Sequence, residues 1–179
     1  MVSLTVIFWM YIILFGIIGA MRGWAKEILV SFSVILSLFM ITLLEQYVPP
    51  LQIKPGGLEP GTRFWVRTFI VGLSVFFGYQ SPNLRAIAGA RFARERLQDT
   101  MLGLILGMIN GYLIVGTLWF FMDAAGYPFQ PLFTPPDPAT EMGKTALALI
   151  KNLPPVFLGP PWIYFAVAVA FLFVVVVFI

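Results

Sequence analysis

The groups in this chain able to hold a charge or move a proton are few, and those whose spacing matters fall in two short stretches. The first is Arg22-Gly23-Trp24-Ala25-Lys26-Glu27, which sets an arginine five residues ahead of a carboxylate. The second begins at Asp99, three residues after Arg96. Glu27 and Asp99, with Arg22 and Arg96 close by in sequence, suit interfacial ion pairs. They do not suit acid–base catalysis, because nothing in the pattern sets two carboxylates across one cavity. Other chemistries are removed by residue type. Cys 0 and His 0 eliminate thiol nucleophiles, Cys/His zinc sites, His-ligated haem and histidine proton switching together. There is no phosphate-binding loop. The expectation is a protein without catalytic residues, metal or cofactor, and so not an enzyme.

Asp99 opens the run DTMLGLILGMING, in which Gly103, Gly107 and Gly111 recur every four residues and Asn110 precedes the last of them. Four residues are slightly more than one helical turn, so the glycines form one smooth stripe on one face. In water such a run argues against a helix. In lipid the backbone must satisfy its own hydrogen bonds, and a helix forms anyway. The missing side chains then admit a second helix at close range. The stripe reads as a helix-packing seam, with a narrow permeation path along the glycine face as the rival. An amide at the depth of Asn110 needs a partner, so it should point into the bundle, as structural glue or as the polar lining of a conduit.

The elements that carry these residues follow from composition. Of 179 residues, 60% are hydrophobic and 11% charged, with a mean hydropathy of +0.93. Soluble domains carry roughly a quarter charged residues. The fold class is therefore all-α: a polytopic helical membrane protein of about five transmembrane helices plus interfacial amphipathic helices. A net charge of +3, scattered along the chain, is no nucleic-acid footprint. The spans are residues 2–21, 28–44, 64–80, 101–121 and 162–179. The first is not a cleaved leader, since no Lys or Arg precedes the apolar run and no A-x-A site follows it. Ser33 and Ser37 share a face of the second span and suit contact with another helix. Arg67, one turn inside the third, either snorkels to the interface or meets an anionic lipid or an internal carboxylate. Ala166 and Ala170 give the last span a minor packing face.

Between the spans, residues 45–63 hold four prolines and two adjacent glycines and read as a loop. Residues 81–98 are basic. Arg85, Arg91, Arg94 and Arg96 crowd a segment that reads either as an imperfect amphipathic helix on the lipid headgroups or as a solvated loop that sets orientation. Residues 122–161 are proline-rich. Within them Met142, Ala146, Leu149, Ile150 and Leu153 share a helical face, with Asp137 as N-cap, Pro138 at the first position, and Pro154 and Pro155 as terminators.

Loops alternate sides. Arg22, Lys26, Arg85, Arg91, Arg94 and Arg96 fall on one side; Lys54, Arg63, Lys144 and Lys151 fall on the other with most of the acids. Positive residues favour the cytoplasm, which places the N-terminus outside and the C-terminus inside. Trp24 and Tyr79 then belt the inner interface, and Trp65, Trp119 and Trp162 the outer.

Two motifs line up across these spans. Gly19-x-x-Arg22-Gly23-x-x-x-Glu27 closes the first hairpin, and Asp99-x-x-x-Gly103-x-x-x-Gly107-x-x-x-Gly111 opens the fourth helix. In this order and spacing they resemble the colicin V production protein (CvpA) family, over roughly residues 1–155. The resemblance implies a four-span bacterial inner-membrane protein linked to colicin V production or export. Members often carry a basic residue just before the third glycine; here that position is Asn110. Residues 1–155 then form a family-like bundle with a trailing amphipathic helix, and residues 156–179 an additional C-terminal span. The expected role is a scaffold or accessory subunit that meets membrane lipids and either other membrane-protein subunits or copies of itself. The alternative is a channel- or transporter-like component of export.

Overall fold

The computed structural model describes residues 3–80, 93–129 and 132–178. Among them the regular structure is entirely helical. It comprises α1 (Leu4–Arg22), α2 (Trp24–Tyr47), a 3-10 turn (Pro49–Leu51), α3 (Pro60–Tyr79), α4 (Ala93–Ala124), α5 (Glu141–Ile150), α6 (Pro154–Phe157) and α7 (Trp162–Phe178).

Helices α1, α2 and residues Arg96–Ala124 of α4 are each long and apolar enough to cross a bilayer. The segment α5–α6 and α7 supply a fourth crossing if the pair, bent by 60°, is taken as one broken span. Among the described residues, three to four candidate spans thus stand where about five were expected. Helix α3 carries Arg63 and Arg67 in its first half, which lowers its apolarity. Helix α7 has 17 residues, the short end of what spans a bilayer.

Helices α1 and α4 form the closest pair, and α2 packs against α3, α4 and α7. Val30 and Val34 of α2 meet Leu113 and Ile114 of α4 in one buried cluster. Phe8, Trp119, Tyr127, Ile150, Leu153 and Ile163 belong to a larger one that joins α1, α4, α5 and α7. Trp119 was expected at the lipid interface. It is instead 3% exposed, edge-on to Phe8 at 5.5 Å, and its Nε1–H donates to the Tyr127 hydroxyl at 3.2 Å. A buried indole needs such a partner. Trp65 and Trp162 do lie exposed.

The loop assigned to residues 45–63 is shorter than its prolines suggested, because α2 runs to Tyr47 and α3 starts at Pro60. Proline at the first position of a helix loses no hydrogen bond and fixes a helical φ. The same reason reverses the expected role of Pro154 and Pro155: they open α6, and α5 has already ended at Ile150. The N-cap of α5 is Thr140 and not Asp137. The Thr140 hydroxyl accepts Gly143 N–H at 3.0 Å, while Asp137 Oδ1 accepts Ala139 N–H in the preceding turn. Met142 falls off the buried face, which is Gly143, Ala146 and Ile150. The Asp137 carbonyl crosses Gly143 where a side chain would stand, so the helix rolls to present the glycine inward.

The hydroxyls of Ser33 and Ser37 donate to their own helix, at Val30 O and Val34 O, both at 2.7 Å. Ser33 also lies against Gly78 of α3, where an added Cβ would come 3.0 Å from the Ser33 Cβ.

Candidate functional site

One residue, Gly23, separates α1 from α2. Its φ of +85° is a conformation that side chains disfavour, and a Cβ there would stand 2.8 Å from Asp99 Oδ1. The Gly23 N–H closes α1 on Gly19 O at 2.9 Å. Directly after it, Trp24 N–H at the start of α2 donates to Asp99 Oδ1 at 3.2 Å. A helix N-terminus carries unsatisfied N–H groups and a partial positive charge. Asp99, arriving from α4, supplies an acceptor and a negative charge there. Arg96, one turn earlier on α4, is exposed.

From Asp99 onward α4 runs antiparallel along α1. A Cβ at Gly103 would come 3.1 Å from Gly23 Cα; one at Gly107, 3.0 Å from Gly19 Cα; one at Gly111, 3.0 Å from Ile12 Cα. A Cβ at Gly19 would reach 2.7 Å from Gly107 Cα. The two backbones touch over about two turns, with carbonyls of Phe15 and Gly19 lying where side chains of α4 would otherwise be. Helices normally sit 8–10 Å apart because side chains separate them. Glycine on both partners removes that spacer.

The same approach brings Asn110 to α2. Its Nδ2 donates to the Glu27 carbonyl at 2.9 Å and to Glu27 Oε2 at 2.8 Å, and its Oδ1 accepts the Ser31 hydroxyl at 2.6 Å. Two acceptors on one side and a donor on the other fix which way the amide faces. The other carboxylate oxygen, Glu27 Oε1, accepts Arg22 Nη1 at 2.6 Å. Arg22 Nη2 reaches Tyr79 O at 3.1 Å, and its guanidinium lies 4.2 Å over the Tyr79 ring. Glu27 and Asn110 are fully buried, whereas the Arg22 side chain keeps 19% of its exposure. The Arg22–Glu27 pair forms, with its acidic half buried against α4. Ser31, one turn beyond Glu27, escaped assignment in the sequence; its i, i+4 spacing from Glu27 was the available signal.

A second ion pair lies near the far end of α2. Arg67 Nε donates to Glu45 Oε1 at 2.6 Å, and the guanidinium sits 5.1 Å from the Phe121 ring centre. Of the two readings of Arg67, the geometry matches the internal carboxylate. Helix α2 thus carries a carboxylate near each end, each held by an arginine from another segment.

The structure gathers Gly19, Arg22, Gly23, Glu27, Asp99, Gly103, Gly107, Asn110 and Gly111 into one continuous contact among α1, α2 and α4. Arg94 and Arg96 belong to α4, whose helix starts at Ala93 and takes in the end of the basic segment. The expectations for Arg85 and Arg91 lie outside the described residues. Among the described residues, no three metal-ligating side chains come together.

A family model described as colicin V production protein matches residues 4–136. No curated protein and no solved structure matches the chain. The matched region spans α1 to α4, takes in every member of the contact just described and stops before α5. The chain belongs to the colicin V production protein family.

Proposed function

We propose that this multi-pass membrane protein of the colicin V production type is a non-enzymatic scaffold, an accessory subunit that packs against other membrane proteins. The observation that supports the reading is Asn110. Both its N–H groups donate to Glu27 and its oxygen accepts from Ser31, which supports reading the deepest amide of the bundle as a brace held in place, with no N–H left to offer a passenger. The glycine stripe, closed by the α1 backbone, offers packing in place of a path. The surface for a partner is α7, which lies beyond the family-matched region. Ala168, Leu172 and Val176 recur at helical spacing on it and are exposed. With α3 and α7 each taken as a crossing, the excess in the sequence of Arg22, Lys26, Arg85, Arg91, Arg94 and Arg96 over Lys54, Arg63, Lys144 and Lys151 supports an orientation in a bacterial inner membrane with the N-terminus outside and the C-terminus cytoplasmic.

The test is affinity purification in mild detergent with wild type, a chain lacking residues 160–179, Ala168→Trp and Asn110→Leu, joined to a flux assay in vesicles made with the purified proteins. The scaffold reading expects the truncation and Ala168→Trp to lose the membrane protein that co-purifies with wild type. Specific flux abolished by Asn110→Leu, with co-purification untouched by both changes in α7, replaces the scaffold with a conduit.

A further inference from the structure

Helix α5 descends into the bundle, and the chain then turns back. The start of α5 lies beside the start of α1, where Leu4 and Thr5 wall one cavity together with Thr140 and Gly143. Its far end lies against the middle of α4. There the Tyr112 hydroxyl donates to the Asn152 carbonyl, and a Cβ at Gly116 would meet Leu153 Cδ2 at 3.2 Å. The chain turns through α6, where Phe157 stacks on Tyr112 at 6.5 Å and Leu158 packs against the Val30–Val34–Leu113–Ile114 cluster. By Tyr164 it is back near the end of α2, donating to Gln46 Oε1 at 3.2 Å.

The 19 residues of α1 span roughly 28 Å, nearly the whole of a hydrocarbon core of about 30 Å, so Leu4 stands near one boundary. Phe121, beside Arg67, marks that boundary on α4, and Tyr112 lies roughly 13 Å of helix below it. Asn152 is therefore close to mid-membrane. Yet the outward face of α5 is polar along its length. Glu141, Lys144, Thr145, Ala148, Lys151 and Asn152 are exposed and recur at helical spacing, with Met142 on the flank. The neighbouring α1 exposes Val6, Trp9, Met10, Ile13 and Ile17 instead, as a lipid face should. Lys144 pairs with Glu141 at 2.6 Å, whereas Lys151 has no carboxylate partner among the described residues. A lysine can stretch toward a boundary; Asn152, whose Nδ2 donates to Ala148 O at 2.9 Å, cannot. At such depth, charged groups and non-helical backbone are tolerated only inside protein or facing water.

We propose that α5 and α6 form a re-entrant segment lining a water-filled cleft, open on the side where α4 ends and floored by Tyr112 and Phe157. The ammonium of Lys151, near the floor, makes the cleft favour small anions. In this arrangement α7 crosses the membrane by itself. The cleft is independent of the scaffold reading and of which side of the membrane is cytoplasmic.

The experiment is thiol labelling of single-cysteine variants of the full chain, which has no cysteine of its own. It uses sealed membrane vesicles of whichever sidedness labels Lys54→Cys, a position in the loop after α2 and so on the side where α4 ends. Asn152→Cys and Ala148→Cys are expected to react with an anionic, membrane-impermeant thiosulfonate. Ile109→Cys, exposed on α4 at similar depth, should not. With rates taken relative to Lys54→Cys, Asn152→Cys should prefer the anionic over a cationic thiosulfonate about fivefold, and Lys151→Gln should remove that preference. Ala148→Cys, on the same exposed stripe, carries the test if Asn152→Cys fails to fold. Both positions as unreactive as Ile109→Cys, equal relative rates with the two reagents, or a preference that survives Lys151→Gln each overturns the proposal.

Discussion

Asp99 of α4 accepts the backbone N–H of Trp24, the first residue of α2, at 3.2 Å, so one helix supplies the N-terminal cap of another. The carboxylate also fills the space that a side chain at residue 23 would need. Asp99→Ala should destabilise the fold by about 0.5–2 kcal/mol, the usual cost of losing a cap acceptor. Asp99→Asn keeps an oxygen for Trp24, so it should cost less. Gly23→Ala meets both an unfavourable φ and Asp99 and should be the worst of the three. Thermal unfolding in detergent ranks them; Asp99→Asn falling below Asp99→Ala would contradict the capping role.

The backbone contact between α1 and α4 predicts sensitivity to the smallest added group. Gly107→Leu should cost about 1–3 kcal/mol or more through overpacking, with loss of assembly or rapid proteolysis. Gly19→Ala should act in the same direction, since its Cβ would meet Gly107 Cα at 2.7 Å. Leu104→Phe is the control, because Leu104 is 40% exposed on another face of α4. Accumulation of Gly107→Leu at wild-type levels with wild-type protease resistance would be incompatible with a tight seam.

The buried half of the Arg22–Glu27 pair makes single and double changes diverge. Glu27→Leu removes the carboxylate from Arg22 and one of the two acceptors from the Asn110 amide, and breaking a buried pair from one side costs about 3–5 kcal/mol. Arg22→Met strands the carboxylate inside the bundle and should cost a similar amount. The double variant removes both charges and should be more stable than the two single losses sum to. A double-mutant cycle by chemical unfolding measures the coupling. Strict additivity would mean that the two side chains do not act as a pair.

Residue positions on either side of the membrane test the orientation. A single cysteine at Gln98 should be shielded from an impermeant thiol reagent in intact cells, and one at Lys54 should be labelled. Both positions are exposed, and the chain contains no native cysteine to confuse the result. The reverse labelling pattern inverts the topology.

Tyr127 links stability to alkaline pH. It lies past the end of α4, 2% exposed, and accepts a hydrogen bond from Trp119. Burial pushes its phenol up to about 12 against the stabilising hydrogen bond, with Asp123 adding to the rise. The unfolded chain ionises first, near the ordinary tyrosine value of about 10. The contribution of Tyr127 is therefore fully present below that value and is lost as pH climbs toward 12. The difference in unfolding free energy between wild type and Tyr127→Phe should shrink over this interval. A difference independent of pH between 10 and 12 would contradict the raised phenol.

Local order was the legible part of this fold. The helical membrane class follows from composition, and the glycines at four-residue intervals mark a face. The partner of that face was not legible, because a contact between Gly19 and Gly107 depends on how distant spans meet. The same holds for Glu27 and Asn110, 83 residues apart. Each could be named as a polar group needing company, while the bond between them is a property of the assembled bundle. Trp119 misled for a related reason: tryptophan near a span end favours the interface on average, and here Tyr127 turns back to meet it. At α5 the sequence pointed to Asp137 as the cap, whereas Thr140 takes the Gly143 N–H and Asp137 caps only the preceding turn.

The single-residue joint at Gly23 has a consequence for biosynthesis. The α1–α2 hairpin is complete at Tyr47, but Asn110, which braces Glu27, is translated 63 residues later. At about 5–20 residues per second that interval is roughly 3–13 s. During it the hairpin holds an ion pair without its amide and a glycine face without its neighbour. The nascent chain therefore needs shelter at that stage, and premature release from the insertion machinery would do its damage before α4 is complete.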